Sequence, residues 1–320
     1  MSRLVMLVFL GLLACSARAQ TVEELKQMLD EQDATILQLR LKLEALQREL
    51  QAARAAPGAR PERSADDEQE RALERTLVRQ GGLVLPRGSY ELEPAISYAR
   101  WDERRTSLRH ETSAALTFRA GLPWDSQFQA SVPYLRVRTE TDSNTAAGDV
   151  SLGFSKQLMR ERGAWPGLVA SIGWVGRTGD DGFDGRAPTG SGFSQLQGGL
   201  TAIKRRDPLV LYGGATYAAA KARDIEGQEI APGPALGLRM GGILAASPHT
   251  SVNVGLNLAF AGATRINGER VPDSDATLGT LQIGLGMILT RRIMLNLATD
   301  IRVTGTVPDV RLSASLPIRF

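Results

Sequence analysis

The 320-residue sequence has little of several residue types, and each scarcity excludes a class of protein. Its single cysteine, Cys15, has no partner for a disulfide, so stability must come from elsewhere. After residue 20 no apolar run approaches the roughly 20 residues that a spanning helix needs, which excludes a bundle of transmembrane helices. Basic and acidic side chains number 38 and 35 without a basic cluster, so no nucleic-acid partner is expected.

Residues that carry catalytic or metal chemistry are also scarce. The two histidines, His110 and His249, are too far apart to pair by spacing, and no nucleophile elbow, phosphate loop or dinucleotide fingerprint occurs. Residues 179–185 are acidic enough to suggest calcium, but they lack the spaced ligands ending in Glu, which favours a solvated loop. We therefore predict no catalytic residue, no metal and no cofactor, with an enzyme as the disfavoured alternative.

The first 19 residues have the pattern of a secretory signal peptide. A basic start precedes an apolar stretch, and Ala17-Arg18-Ala19 before Gln20 is a well-formed cleavage site. A competing interpretation is a lipoprotein box ending at Cys15, which would lipidate that cysteine, although Leu13 fits such a box poorly. Residues 1–19 are thus predicted to be removed, and the protein to be exported.

Residues 20–53 carry a heptad pattern that predicts a coiled-coil helix. Thr21 and Glu24 form a capping box at its start, and at 1.5 Å per residue the helix would reach about 50 Å. Flanking charges of mixed sign favour pairing with a second helix over the alternative, a lone amphipathic helix on a barrel or membrane. The predicted core positions are Val22, Leu25, Leu29, Gln32, Ile36, Leu39, Leu43, Leu46 and Leu50. A homo-oligomer follows, although the heptad alone does not fix the number of chains.

Two short segments separate this helix from the rest of the chain. Residues 54–67 have the composition of a linker, and residues 68–80 predict a short helix. Because that helix would come immediately before a domain of residues 81–320, it could plug the domain's mouth or pack below its rim.

From residue 89 onward the apolar period changes from 3.5 to 2. Val252, Val254 and Leu256, for example, alternate with polar or small residues. Segments of about ten residues with one apolar face are typical of a membrane β-barrel, although a soluble sandwich shows the same period. The predicted strands lie near 89–101, 108–122, 127–138, 148–159, 167–177, 193–204, 209–221, 234–246, 250–263, 276–289, 293–303 and 309–320.

The lengths of the gaps between these strands favour the barrel over the sandwich. Short turns alternate with mostly longer loops, as in outer-membrane barrels, where both ends of the barrel chain lie in the periplasm. Aromatic residues near strand ends suit the girdles at the two membrane interfaces: Tyr90, Tyr98, Trp101, Trp124, Tyr134, Trp165 and Trp174. The predicted fold is all-β, a 12-stranded antiparallel transmembrane β-barrel preceded by the coiled-coil helix. The predicted location is the bacterial outer membrane, with its lipid as a partner and the N-terminal helix in the periplasm.

Alternation also predicts which charged residues point into the barrel. Twelve strands enclose a bore intermediate between small filled barrels and wide porins. These side chains could brace a narrow barrel as salt bridges or screen solutes by charge, and their mixture suggests no strong preference for anions or cations. The predicted lumen residues are Glu91, Glu93, Arg109, Glu111, Arg119, Asp149, Arg239, Arg302, Arg311 and Arg319.

Two motifs carry a resemblance to a known family. The segment Gly-Asp-Val-Ser-Leu-Gly-Phe at 148–154 and the ending Ser-Leu-Pro-Ile-Arg-Phe at 315–320 resemble the outer-membrane proteins of the MetA pathway of phenol degradation. The resemblance covers roughly residues 80–320 and implies a transporter. It also implies that Phe320, with Ile318 and Leu316, is a recognition signal for the barrel assembly machinery.

The layout as a whole resembles the trimeric secretion pore of functional-amyloid systems, in which the helix before the barrel is a plug. That resemblance favours a trimer. The leading hypothesis is a channel for small solutes, with aromatic or apolar solutes as candidates. The alternatives are a pore that exports a polypeptide, such as amyloid subunits, and a structural protein that anchors a periplasmic stalk.

Overall fold

The computed structural model describes residues 81–103, 107–140, 142–183 and 185–320, and these residues form strands and loops. Within them there is no helix long and apolar enough to cross a membrane. The predicted signal peptide, coiled coil, linker and short helix lie outside the described residues, as do all nine predicted coiled-coil core positions.

Eighteen strands are present in the described residues. They are β1 (Tyr90–Glu103), β2 (Ser107–Leu122), β3 (Ser126–Arg138), β4 (Ser143–Ala147), β5 (Ser151–Met159), β6 (Gly167–Val175), β7 (Gln195–Arg206), β8 (Leu209–Ala220), β9 (Arg223–Ile225), β10 (Gln228–Ala231), β11 (Ala235–Ser247), β12 (Thr250–Ala261), β13 (Arg265–Ile266), β14 (Glu269–Arg270), β15 (Ala276–Ile288), β16 (Met294–Thr304), β17 (Val310–Ser315) and β18 (Ile318–Arg319).

Fourteen of these strands form one antiparallel sheet that closes on itself. β4 and β5 both pair with β3 and together make the fourth wall strand, and β17 and β18 both pair with β1 and together make the twelfth. The closing register places Ile96 opposite Ala314. The predicted 12-stranded antiparallel barrel is therefore confirmed. Closure gives the barrel sheet no free first or last strand, although β4 pairs with β3 alone. The fourth wall strand begins at Ser143, earlier than the predicted residue 148, and is interrupted at 148–150.

Short turns and long loops alternate around the barrel. One end carries short connections such as Asp207-Pro208 and Pro248-His249, together with the chain entry at residue 89 and the C-terminus. We call it the short-turn end. The other, the long-loop end, carries residues 176–194 and two β-hairpins that pair into a separate four-stranded sheet, β9–β10 and β13–β14. The sequence did not predict these hairpins.

The outward face of the barrel is an apolar belt. Large apolar side chains that would be buried in a soluble protein are 36% or more exposed here, including Ile96, Leu116, Val132, Leu200, Met240 and Leu312. So much contiguous apolar surface requires an apolar solvent, which identifies this face as the lipid-facing one. Trp101 is an exception to the predicted aromatic girdle. By alternation along β1, Trp101 is on the same inward face of the strand as Glu91. Its Nε1–H donates to the Thr306 carbonyl at 3.2 Å.

Candidate functional site in the barrel lumen

Residues 81–88 enter the barrel and cross its lumen near the short-turn end. Leu83 packs against an apolar cluster on β7, β8 and β11, formed by Ile203, Val210, Tyr212 and Ile243. Those strands lie on the side of the twelve-strand circuit opposite β2 and β3. We call residues 81–88 the crossing segment.

The crossing segment is anchored on the opposite wall as well. Leu85 is only 1% exposed, and its N–H donates to Oε1 of Gln127 on β3 at 2.9 Å. Pro86 meets Gly121 on β2 so closely that a Cβ there would lie 2.0 Å from the Pro86 carbonyl oxygen. The crossing segment therefore contacts two opposite sides of the barrel wall and obstructs the bore between them.

Tyr212 provides much of the surface against which the segment packs. Its ring lies against the barrel wall over Gly241 and Gly255, where a Cβ at either position would come within 2.5 Å of the Tyr212 hydroxyl oxygen. Glycine at both positions is what allows a buried aromatic side chain to lie flat in a narrow bore.

A buried ionic cluster lies at the same end of the lumen. Nη1 of Arg119 contacts Glu91 Oε1 at 2.8 Å and Glu93 Oε2 at 2.5 Å, and its Nε–H donates to Gln129 Oε1 at 3.1 Å. Arg319 approaches the other oxygen of Glu91 at 3.6 Å. Four of the predicted lumen residues therefore form one network, which balances two carboxylates with two guanidinium groups.

Further polar groups line the bore from its middle to the long-loop end. Arg239 hydrogen-bonds Thr201 and has no carboxylate within ion-pair distance among the described residues. Gln282 donates to Asp300 at 2.9 Å, and Arg302 forms an ion pair with Asp309 near the long-loop end.

The long-loop half of the lumen holds the remaining predicted residues around a cavity of about 520 Å³. Arg109, Glu111 and Arg311 line it from the wall. Ser97 and Ser113 line it as well, with their hydroxyl oxygens 2.8 Å apart. Residues 188–191 cover it from the loop side, so the loop between β6 and β7 reaches over the lumen.

Asp149 holds that loop in place. It belongs to the interruption between β4 and β5, where its Oδ1 accepts hydrogen bonds from the N–H groups of Thr178 and Gly179 at 3.1 and 3.0 Å. Its Oδ2 accepts from both the N–H and the hydroxyl of Ser191, at 2.6 and 2.8 Å. The predicted lumen residue Asp149 therefore positions the loop, and its charge is engaged by four donors.

An ion pair joins the loop between β6 and β7 to the hairpin of β9 and β10. Arg223 contacts Asp181 Oδ2 at 2.5 Å and stacks over the Phe183 ring at 5.5 Å. The hydrogen bond from Arg223 lowers the pKa of the Asp181 carboxyl below its ordinary value and outweighs the opposing effect of burial. The acidic segment 179–185 thus ties loops together, and the described residues contain no group of three His, Cys, Asp or Glu side chains arranged to hold a metal.

The sequence reasoning missed the crossing segment. Its signal was present as Leu83-Val84-Leu85, an apolar run directly before the first strand with no strand partner of its own. Gln127, Tyr212 and Thr201 are not among the predicted lumen residues, because that prediction covers only charged side chains. Both histidines lie away from the lumen site. Nδ1 of His110 is hydrogen-bonded to the Tyr98 hydroxyl at 2.7 Å on the outward face, and His249 lies in a tight turn.

A closed antiparallel barrel with an apolar exterior, a polar interior, short turns at one end and long loops at the other has the architecture of the outer-membrane β-barrels. The chain matches the crystal structure of the COG4313 outer membrane channel from Pseudomonas putida F1 with a TM-score of 0.67 and 15% identity, over 74% of this chain and 97% of that one. The predicted resemblance to an outer-membrane β-barrel transporter family is confirmed at the level of the fold.

Two more distant similarities accompany this match. The NanC porin matches with a TM-score of 0.47 and 11% identity, over 72% of this chain and 98% of that one. The translocator domain of the autotransporter NalP from Neisseria meningitidis matches with a TM-score of 0.46 and 10% identity, over 80% and 96%. No family model matches the chain.

Proposed function

We propose that the chain is an outer-membrane channel that passes small solutes, without catalytic activity of its own. The observation that carries this proposal is the closed barrel whose lumen contains polar side chains and a cavity of about 520 Å³, while its exterior is apolar. A barrel of this kind places a polar route across a lipid bilayer. The similarity in fold to a protein described as an outer membrane channel supports the same class of function.

The crossing segment would act as the gate of this channel. It obstructs the bore near the short-turn end. We assign this end to the periplasm because outer-membrane barrels have their short turns on the periplasmic side. The residues before 81 would then connect the gate to a periplasmic coiled coil. Its self-association remains a prediction from the heptads, and a trimer remains what the resemblance to the secretion pore implies.

A liposome-swelling assay tests the proposal. Full-length protein and a version lacking residues 20–87 would be reconstituted, and swelling would be followed in neutral sugars of increasing size. We expect swelling in both, faster in the truncated form, with rates that fall as the sugar grows. Swelling no faster than in protein-free liposomes, for both forms, would refute a solute channel and favour the structural role.

A pore that exports a polypeptide is the second candidate, and one observation favours it. The lumen near the short-turn end already accommodates a stretch of backbone without secondary structure, residues 83–86, between its two walls. A photo-crosslinker at the inward-facing Thr216 would capture an exported chain in living cells, and one at the outward-facing Leu200 is its control. Capture of one recurring polypeptide by the inward position alone would favour export over solute passage.

A further inference from the structure

The cavity in the long-loop half of the lumen has two chemically different sides. Pro133, Leu135 and Pro188 contribute apolar surface, whereas Arg109 and Arg311 contribute guanidinium groups. Its volume of about 520 Å³ lies within the range of small-molecule sites. A ligand that fits both sides must combine an apolar body with a charged or polar end.

The polar side holds two guanidinium groups, those of Arg109 and Arg311, and two carboxylates, those of Glu111 and Asp149. Arg109 and Arg311 share a single carboxylate, Glu111, and each Nη2 lies 3.7 Å from a Glu111 oxygen. Charge-assisted hydrogen bonds between such groups measure about 2.7–2.9 Å, so neither pair is a formed hydrogen bond. Asp149 also lines the cavity, but its oxygens already accept four hydrogen bonds from the loop.

The two guanidinium groups also have unused donors. The Nε atoms of Arg109 and Arg311 are buried without a hydrogen-bond partner among the described residues. A buried donor without an acceptor is costly. A ligand in the cavity would meet the accessible part of each side chain, which is 36% exposed for Arg109 and 40% for Arg311. Trp101 packs under Arg109, with the guanidinium carbon 5.0 Å from the ring centroid, which helps to hold the plane of the guanidinium group.

We propose that this cavity binds a small organic anion, with its carboxylate between Arg109 and Arg311 and its apolar body against Pro133, Leu135 and Pro188. The planar guanidinium fork matches a carboxylate in geometry and charge. A cation would meet two guanidinium groups, and of the two carboxylates that line the cavity, Asp149 already has its oxygens engaged by the loop. A fully polar anion would leave the apolar side unfilled. Arg239, deeper in the bore, adds a positive charge with no carboxylate partner among the described residues. The proposal rests on the channel function and names the class of solute that the channel would select.

Titration calorimetry on the detergent-solubilised full-length protein tests the site directly. Benzoate is the probe, and acetate, benzyl alcohol and benzylamine are controls that lack its apolar body, its charge or its sign of charge. We expect benzoate to bind more tightly than all three. An Arg109→Gln/Arg311→Gln double variant should bind it at least about tenfold more weakly, which corresponds to about 1.4 kcal/mol. Arg302→Gln is the matched control, because Arg302 points inward but pairs with Asp309 outside the cavity.

Several outcomes would overturn the proposal. Equal binding of benzoate and benzyl alcohol would remove the role of the carboxylate, and benzoate binding unchanged in the double variant would place the ligand elsewhere. If the double variant does not fold, Arg311→Lys is the alternative. It keeps the positive charge but loses the planar pair of N–H donors that matches a carboxylate, and it should still weaken benzoate binding. Undiminished binding in that variant would also contradict the site.

A bilayer measurement separates this proposal from the channel function. If the protein conducts and benzoate does not reduce the current in an arginine-dependent manner, the anion site is wrong and the channel stands. If benzoate binds through the two arginines but neither the full-length nor the truncated protein conducts, the site stands and the channel function is wrong.

Discussion

The backbone N–H of Leu85 donates a buried hydrogen bond to the side-chain carbonyl oxygen of Gln127 at 2.9 Å. This bond attaches a segment that precedes the barrel to the inner face of the third wall strand. Together with the packing of Leu83 on the far wall, it explains how a chain without a disulfide in its described residues keeps this segment inside the bore. In the proposed channel, the free energy that holds this segment would set how often the bore is open.

A substitution at Gly121 should release the crossing segment. A Cβ there would lie 2.0 Å from the Pro86 carbonyl oxygen, a contact that only movement of the segment can relieve. We expect Gly121→Ala to raise the open probability of single channels in planar bilayers. Gly153→Ala is the matched control, because Gly153 also faces inward and a Cβ there would meet its nearest neighbours at an ordinary 3.9 Å. Equal conductance in the two variants would argue against a gate at residues 81–88.

The buried cluster around Arg119 should be essential for stability. Arg119→Gln would remove the guanidinium group that contacts both Glu91 and Glu93, which are buried on the same face of β1, and breaking such a buried pair costs about 3–5 kcal/mol. Unfolding by urea in detergent micelles measures the loss. Arg160→Gln removes an exposed pair with Asp125, where the arginine side chain is 73% accessible, and should cost less than about 1 kcal/mol. Similar losses in the two variants would show that the cluster is not a stabilising feature.

The fastening of the loop by Asp181 and Arg223 should depend on pH in a defined direction. Because the folded pKa of Asp181 is lowered, its contribution to stability is complete above the ordinary value of 3.8 and is lost as the pH falls through the lower folded value. We expect Asp181→Asn to accelerate amide hydrogen exchange in residues 178–192 at neutral pH. The difference from the wild type should vanish at a pH well below 3.8, once the carboxyl is protonated. A difference that persists unchanged in acid would contradict this role.

Removal of Phe320 should impair assembly in cells more than folding. Its N–H donates to the Tyr90 carbonyl at 2.9 Å at the closing seam, and its side chain is 64% exposed on the outward face, where a receptor could contact it. We expect deletion of Phe320 to reduce the amount of folded protein in the outer membrane, and Phe320→Tyr to retain it. Refolding into detergent micelles, which needs no machinery, is the control. A parallel loss of refolding would show instead that Phe320 only closes the seam.

The sequence predicted the barrel well because its strands are read from a local pattern. Alternation at period 2 locates each wall strand, and the lengths of the connections distinguish the short-turn end from the long-loop end. Both features can be recognised without knowledge of distant contacts. The two loop hairpins also had local signals that were overlooked. Glu226-Gly227 and Asn267-Gly268 adopt positive φ at both positions, the backbone of the tight turns that join hairpin strands.

The site was less predictable because it depends on which side chains meet across the bore. Alternation indicates that Glu91 and Arg119 share a face, but only the register shows that they pair, and that Arg109 and Arg311 are left with one carboxylate between them. The crossing segment was missed because Leu83 and Leu85 are buried against residues that are distant in the sequence, and a local hydrophobic period does not reveal such contacts.

Planar-bilayer conductance of the full-length protein beside a version lacking residues 20–87 tests the central claim most directly. The deletion must extend to residue 87 because a shorter one, ending at residue 80, would leave the crossing segment in the lumen. We predict steady open steps for the truncated form and smaller or mostly closed steps for the full-length protein. The absence of conductance in both forms, with the barrel shown to be folded, would contradict the account of this protein as a channel.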